Sequence, residues 1–310
     1  MIELDAIHKT FGDTEVLHDL SLKIETGELA VLIGPSGSGK STTLKLLNRL
    51  LDPDRGCVRL HGEDIRRQAP EQLRRKIGYA IQSVGLFPHW TVEQNIAVVP
   101  ELQKWPRTRI RERVAELLVL LDMPPAQFLH RYPHQISGGQ QQRVGVARAL
   151  AADPEFLLMD EPFGALDPVT RANLQDELLR IHRLLGKTIV LVTHDLDEAI
   201  RLGSRIVIMD QGRIVQQGPA REILLTPANA FVRDFVKPGE IGVRLLGLAR
   251  VSERVRWSAQ ATGEALGLNA TLREALSAFI LQGVACLPVA DESGRHVGAL
   301  HFDDLLEIRA

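Results

Sequence analysis

The sequence predicts an α/β protein built on a mostly parallel core sheet, followed by a smaller α+β domain. Three observations carry that prediction. The apolar run Leu29–Ile33 leads into Gly34-Pro-Ser-Gly-Ser-Gly-Lys-Ser41, the G-x-x-x-x-G-K-[ST] pattern of a phosphate-cradling loop, and Thr42 to Leu51 then reads as a helix. From Ala151 to about Ile208, apolar runs of strand length alternate with helical patterns, the order a parallel sheet requires. Past Lys237-Pro-Gly-Glu240 the chain carries no further lysine and resumes as short helix and strand patterns, which marks a second domain.

Each element follows from its local pattern. Residues 1 to about 80 alternate short strands with turns at Gly12-Asp13, Thr26-Gly27, Arg55-Gly56 and His61-Gly62, an antiparallel edge sheet attached to the core. In the helix after the phosphate loop, Leu44, Leu47, Leu50 and Leu51 share one face. Leu86 to about Leu150 reads as helical. Within it, Arg107 to Met123 places Ile110, Val114, Leu117, Leu118 and Leu121 on one stripe, and its Arg and Glu residues form the solvated face. Phe156–Met159 and Ile189–Val192 are buried strands. In the last domain Thr271 to Gln282 is a helix, Val284 to Ala290 a strand and Glu292-Ser-Gly294 a turn. Arg295 to His301 is a second strand and Phe302 to Ile308 a closing helix.

The chemistry lies where strands end. Glycines at Gly34, Gly37 and Gly39 let backbone N–H groups converge on phosphate oxygens, Lys40 reaches the β/γ-phosphates, and the Ser41 hydroxyl suits Mg²⁺. Ser137 is a good N-cap for the helix running through Val144, Val146, Ala147 and Leu150; Gly138 and Gly139 beside it expose amides at that helix's positive end. Asp160-Glu161 closes a buried strand at the edge where open α/β sheets bind ligands: Asp160 offers hard oxygen to a cation, and Glu161 stands where it could activate water. Thr193-His194 ends the next buried strand.

Composition removes several classes. With 310 residues the chain suits two domains, and 45% hydrophobic with 25% charged residues is ordinary for a globular protein. A formal net charge of −2 argues against a nucleic-acid binder. Cys57 and Cys286 are far apart and lack metal-ligand spacing, which fits a reduced compartment. The N-terminus has no signal-peptide pattern, and no apolar stretch approaches the length of a membrane span.

The stretch Ile136-Ser-Gly-Gly-Gln-Gln-Gln-Arg143 resembles the L-S-G-G-Q signature of ATP-binding cassette (ABC) ATPases, with Ile136 in place of the Leu. Phe156–Glu161 resembles the Walker B strand, Ala165-Leu-Asp167 the D-loop, His194 the switch histidine and Gln82 the Q-loop glutamine. Phe11 lies where the family carries an aromatic that stacks on adenine, and a core role for it stays open. The resemblance covers residues 1 to about 236. It implies a P-loop NTPase cassette with a parallel core sheet, an antiparallel β subdomain and a helical subdomain. ATP and Mg²⁺ are the implied cofactors. ATP would contact Phe11, Gly34, Pro35, Ser36, Gly37, Ser38, Gly39, Lys40, Ser41 and Thr42 of one subunit, with Ser137, Gly138, Gly139, Gln140 and Asp167 coming from the opposite subunit of a head-to-tail homodimer. Mg²⁺ would take Ser41, Gln82 and Asp160, and Glu161, His194 and Gln82 would be catalytic.

A finer resemblance, to ATP-binding subunits of osmoprotectant importers (glycine betaine, choline or related quaternary amines), rests on several longer stretches. These are Asn48-Arg-Leu50, Ser83 to Thr91, Asn95 to Pro100, Asp160 to Pro168, Pro227-Ala-Asn229 and Phe231 to Phe235. It implies integral membrane permease subunits, a separate extracytoplasmic substrate-binding protein, and a place on the cytoplasmic face of the membrane. Gly85 to Trp90 would receive a short helix of the permease. An importer of another polar solute, an amino acid or polyamine, is the alternative, and a non-transport ABC ATPase a more distant one. Residues 265–310 resemble one cystathionine-β-synthase (CBS) repeat through Leu287-Pro-Val-Ala290, Val297-Gly298 and Asp303-Asp-Leu-Leu306, with 237–264 as linker and degenerate region. His301 replaces the usual Ser/Thr, while Asp304 keeps the ribose-binding position. A packing or dimerising role for this repeat is expected, with the strand Val284–Ala290 left with an uncovered apolar face.

Overall fold

A computed structural model of the chain describes residues 1–81, 85–164 and 166–306. They divide into two compact units, Met1–Gly218 and Pro219–Ala310.

The first unit holds two sheets. β1 (Ile2–Phe11), β2 (Thr14–Ile24), β4 (Arg55–Leu60) and β5 (Glu63–Asp64) form an antiparallel sheet in the order β2-β1-β4-β5. The expected turn at Arg55-Gly56 is instead the start of β4. Gly56, at φ +87°, lies so close to the carbonyls of Asp5 and Ala6 that a Cβ has no room, and the register against β1 slips there. The core sheet runs β10 (Arg213–Gly218), β9 (Arg205–Asp210), β3 (Leu29–Ile33), β8 (Thr188–Thr193), β7 (Phe156–Asp160), β6 (Ile77–Ala80). It is parallel except for the β9–β10 hairpin. β3 and β8 are buried along their whole length, as strands covered on both faces must be.

Helices complete the unit: α1 (Lys40–Leu47) after the phosphate loop, then α2 (Pro70–Arg75), α3 (Val92–Leu102), α4 (Arg107–Leu120), α5 (Pro125–Phe128), α6 (Gly138–Leu150), α7 (Pro168–Leu185) and α8 (Leu196–Leu202). α1 is shorter than the periodicity suggests. It stops at Leu47 because Arg49 turns to φ +53°, which leaves Leu50 half exposed. The stripe on α4 is buried as expected, at Ile110, Val114, Leu117, Leu118 and the following Leu121.

The second unit contains α9 (Ala220–Leu225), α10 (Ala230–Phe235), α11 (Ile241–Leu248), β11 (Arg256–Trp257), β12 (Leu266–Gly267), α12 (Leu272–Gln282), β13 (Cys286–Ala290) and β14 (His296–His301), with sheet order β11-β14-β13-β12. Several expectations need correction. The unit begins ahead of Lys237, because α9 packs on α11. The span 237–264 is no mere linker: α11 and the segment after it bring Leu246, Val251 and Val255 into one core with Leu272, Phe279, Leu287, Val289, Leu300 and Leu305. The strand starts at Cys286 rather than Val284 and has no open face, since Leu287, Pro288, Val289 and Ala290 are all buried. Thr271 caps α12 through a capping box with Glu274. The closing element is a 3₁₀ turn, Phe302–Leu305; Ile308 lies outside the described residues.

Candidate functional site: a phosphate loop facing two acids

The loops that follow β3, β7 and β8 gather at one edge of the core sheet. Gly34 sits against the carbonyl of Met209 with no space for a Cβ, and Gly39, at φ +98°, packs on the Leu17 side chain. Both positions require glycine, so the loop is set by its backbone. Gly39 is also the N-cap of α1, and no side chain caps that helix, whose leading amides face the loop. The Lys40 ammonium is buried and donates to the carbonyls of Gly34 (2.8 Å) and Pro35 (2.7 Å) and to Ser38 Oγ (3.3 Å). Burial lowers its pKa, with Glu161 and Asp160 opposing the shift. Pro35, Ser36 and Gly37 are exposed, and Ser41 and Thr42 half-buried.

Across the loop, Ser41 donates its hydroxyl to Asp160 Oδ1 at 2.9 Å. Burial raises the Asp160 pKa, partly offset by that hydrogen bond; the adjacent Glu161 raises it further. A half-buried carboxylate beside a hydroxyl is a donor set that suits a hard divalent cation next to phosphate. Tyr79, on the neighbouring strand, is pushed up to about 12 by burial and then by the Asp160 charge.

Glu161 takes φ +45°, an uncommon and strained setting for a non-glycine residue, fixed by its amide donating to the Val192 carbonyl at 2.9 Å. This turn aims its carboxylate at His194, whose Nδ1 lies 3.3 Å from Oε1, with the ring 63% exposed. The ring is thus open to a ligand while its other edge meets the acid. Phe11, at the end of β1, is 45% exposed with Lys9 Nζ 5.5 Å above its ring, so the face is not used in the core of this unit. Gln82 lies outside the described residues.

The signature segment forms a second centre. Ser137 Oγ accepts from the Gln140 amide (3.3 Å), while the Gln140 side chain accepts from the Ser137 amide (2.9 Å), a capping box. Ser137 and Gly138 are exposed. Gly139 packs on Thr170 Cγ2, so a larger residue there would have to push the Thr170 side chain aside. Asp167 is exposed and caps α7 through the amides of Val169 and Thr170.

Against this geometry, an ABC transporter model matches residues 17–164. The glycine betaine uptake system ATP-binding protein YehX of Escherichia coli is 58% identical over 306 residues, covering 99% of each chain. The chain belongs to the ATP-binding proteins of ABC transporters. A second member, the glycine betaine/carnitine/choline transport ATP-binding protein OpuCA of Bacillus subtilis, is 49% identical, over 94% of this chain and 76% of that one. Among solved structures, the dimeric post-hydrolysis state of the cassette MJ0796 bound to ADP and Pi is 33% identical with a TM-score of 0.64. It covers 71% of this chain and 99% of its own. This cassette is therefore an ATP-hydrolysing one, and among its described residues no helix is long and apolar enough to cross a membrane.

Several contacts around the site escape sequence reasoning. Asn95, fully buried, accepts from the Phe87 amide (2.8 Å) and donates to the carbonyls of Phe87, Trp90 and Thr91, which fixes the exposed turn carrying Phe87. Gln142 of α6 donates to the Pro162 carbonyl, just past Glu161. Arg171 and Gln175 of α7 reach the loop and helix after β8. Nothing in the local sequence marks Arg171 and Gln175 as residues that join α7 to the next helix.

Proposed function

We propose that this chain is the ATPase subunit that energises an osmoprotectant importer for glycine betaine, choline or a related quaternary amine. The observation that carries the reading is similarity to YehX across 99% of both chains, second unit included. The subunit would act as a homodimer on the cytoplasmic face of the membrane, bound to integral permease subunits and served by a separate extracytoplasmic substrate-binding protein.

In this reading Lys40 leaves the Gly34 and Pro35 carbonyls for the β/γ-phosphates, and the loop amides and α1 hold the remaining oxygens. Phe11 offers its face to adenine. Ser41 and Asp160, with Gln82, would hold Mg²⁺, which when bound neutralises charge on the β- and γ-phosphate oxygens. Glu161 takes a proton from the attacking water, and His194 holds the γ-phosphate from the opposite side of that carboxylate. Ser137, Gly138, Gly139, Gln140 and Asp167 complete the partner's nucleotide site.

The turn Gly85–Trp90 would be the permease contact: Phe87 is exposed, its ring 4.4 Å from Trp90, and Asn95 holds the turn in shape. Cross-linking from a cysteine at His89 to permease subunits tests it. In the second unit, Asp304 accepts a fork from Arg256 and the amide of His301, so its carboxylate is already occupied within the fold. That supports a packing role for the CBS-like repeat over ribose binding.

Uptake of labelled glycine betaine in cells with and without the chain, at low and high osmolarity, tests the substrate. Uptake that does not depend on the chain, with amino-acid or polyamine uptake that does, would sink the osmoprotectant reading.

A further inference from the structure

The first turn of α7 touches both functional centres of one chain. On one side Gly139 of the signature segment packs directly on Thr170, with Leu166 next to it. On the other, the Arg171 guanidinium spans two loops: Nη2 donates to the Leu166 carbonyl at 3.2 Å, and Nη1 lies 3.7 Å from Asp195 Oδ2. Asp195 follows His194 directly. Its Oδ1 caps α8 through the amides of Asp197 (2.9 Å) and Glu198 (3.2 Å), and its own amide donates to Thr193 Oγ1 (3.1 Å).

One turn further on, the same two helices are joined again. Buried Gln175 donates to buried Glu198 Oε1 at 3.0 Å and accepts from Arg201 at 3.2 Å; Arg201 also reaches Asp176 at 2.8 Å. Burial raises the Glu198 pKa, and its bonds to Thr193 and Gln175 oppose that. Polar contacts at two successive turns join α7 to α8, and sliding either helix would strand the buried Gln175–Glu198 pair. The Gly139–Thr170 contact at one end of α7 and the Arg171–Asp195 pair at the same turn place this helix between the signature segment and the start of α8.

We propose that Arg171 is a positioning residue that couples the signature segment of a chain to its own His194–Glu161 pair. The site that a chain lends to its partner's nucleotide thereby sets the geometry at its own. This rests on the reading of His194 and Glu161 given above.

The test is steady-state ATPase of the full chain with Arg171→Met, Arg171→Lys, Asp195→Asn and the Met/Asn double variant. Arg171→Met should lower kcat about tenfold or more while KM for ATP stays within about twofold, since the phosphate loop is untouched. Arg171→Lys should recover part of that loss. The double variant should be no slower than Arg171→Met alone, the non-additivity expected of one shared contact. In a Glu161→Gln background, ATP should still trap the Arg171→Met dimer. Turnover within about twofold of the parent, or kcat and ATP binding falling together with the melting temperature, overturns the proposal. If Arg171→Met does not fold, Asp195→Asn decides, because Asn keeps the α8 cap and removes only the charge facing Arg171. Glu161→Gln and His194→Ala serve as controls: normal hydrolysis in both defeats the reading of the site itself, independently of Arg171.

Discussion

In the first unit the functional side chains stand on loops at the ends of β3, β7 and β8, and backbone holds them. Gly34 and Gly39 are pressed against neighbouring atoms, and Glu161 sits at a positive φ tied to Val192. In the second unit the buried polar side chains Arg244 and Asp304 are instead tied up inside the fold. Asp304 is locked by Arg256 and His301, and a small apolar core centred on Phe279 does the rest. Loops of the first kind keep their acids, hydroxyl and ammonium turned toward a space that phosphate would fill. In the second unit the buried acid, Asp304, is turned inward and paired within the fold. Changes in the first unit should therefore remove activity at little cost in stability, and changes in the second should do the reverse.

Glu161→Gln is the sharpest probe of that contrast. Turnover should fall by about 10²–10⁴-fold, the contribution of a positioned base, with ATP binding and melting temperature retained. Near-normal hydrolysis by the purified protein would falsify the base assignment. Phe279→Ala is the counterpart. The side chain is 2% exposed, so its loss should destabilise the second unit by about 3–5 kcal/mol while ATPase of the first persists. Limited proteolysis together with an ATPase assay reads both, and parallel loss of activity would blur the comparison.

Lys40→Ala should weaken nucleotide binding about tenfold to a hundredfold, the worth of a charge-assisted hydrogen bond, which separates binding from turnover. Direct titration with a fluorescent ATP analogue measures it, and unaltered affinity would remove Lys40 from the cradle.

The smallest effect belongs to Asp304→Asn. Arg256 is about half exposed, so solvent screens the pair and the loss should be about 0.5–1 kcal/mol. Burial raises the Asp304 pKa, but the Arg256 fork and the His301 amide outweigh it and the net shift is downward. A depressed carboxylate stabilises the fold above its unfolded pKa, near 4 by the ordinary value, and that contribution is lost as pH falls through the folded value. Thermal melts of the second unit from pH 6 to about pH 3 should steepen below about pH 4 in the parent and less in the variant. Identical profiles would mean that the fork contributes nothing.

Much of the candidate site is legible in sequence because it is local. Gly34 to Ser41, Ser137 to Gln140 and Asp160-Glu161 each lie within a few residues, and the strands that lead into two of them are unbroken apolar runs. The contacts of Asn95, Gln142, Arg171 and Gln175 are not legible. Each joins residues brought together by packing of separate helices, and a polar residue on a helix looks the same whether it meets water or another helix. The second unit misled for a related reason. Residues 237–264 read as linker and degenerate region, yet Val251 and Val255 are buried by contact with residues that come later in the chain.

The sequence by itself determined which loops carry the chemistry, in what order, and that the core sheet is parallel. Strand burial and glycine spacing are enforced over a few residues, where sterics and the need to pair backbone polar groups leave few options. Only the tertiary structure decided that Ser41 meets Asp160, that Glu161 turns to His194, and that α7 bridges the signature segment to the histidine loop. It also decided that the face of β13 expected to stand open is closed. Those facts depend on which distant surfaces pack together, and packing is settled by the fit of whole elements, which no short window of residues contains.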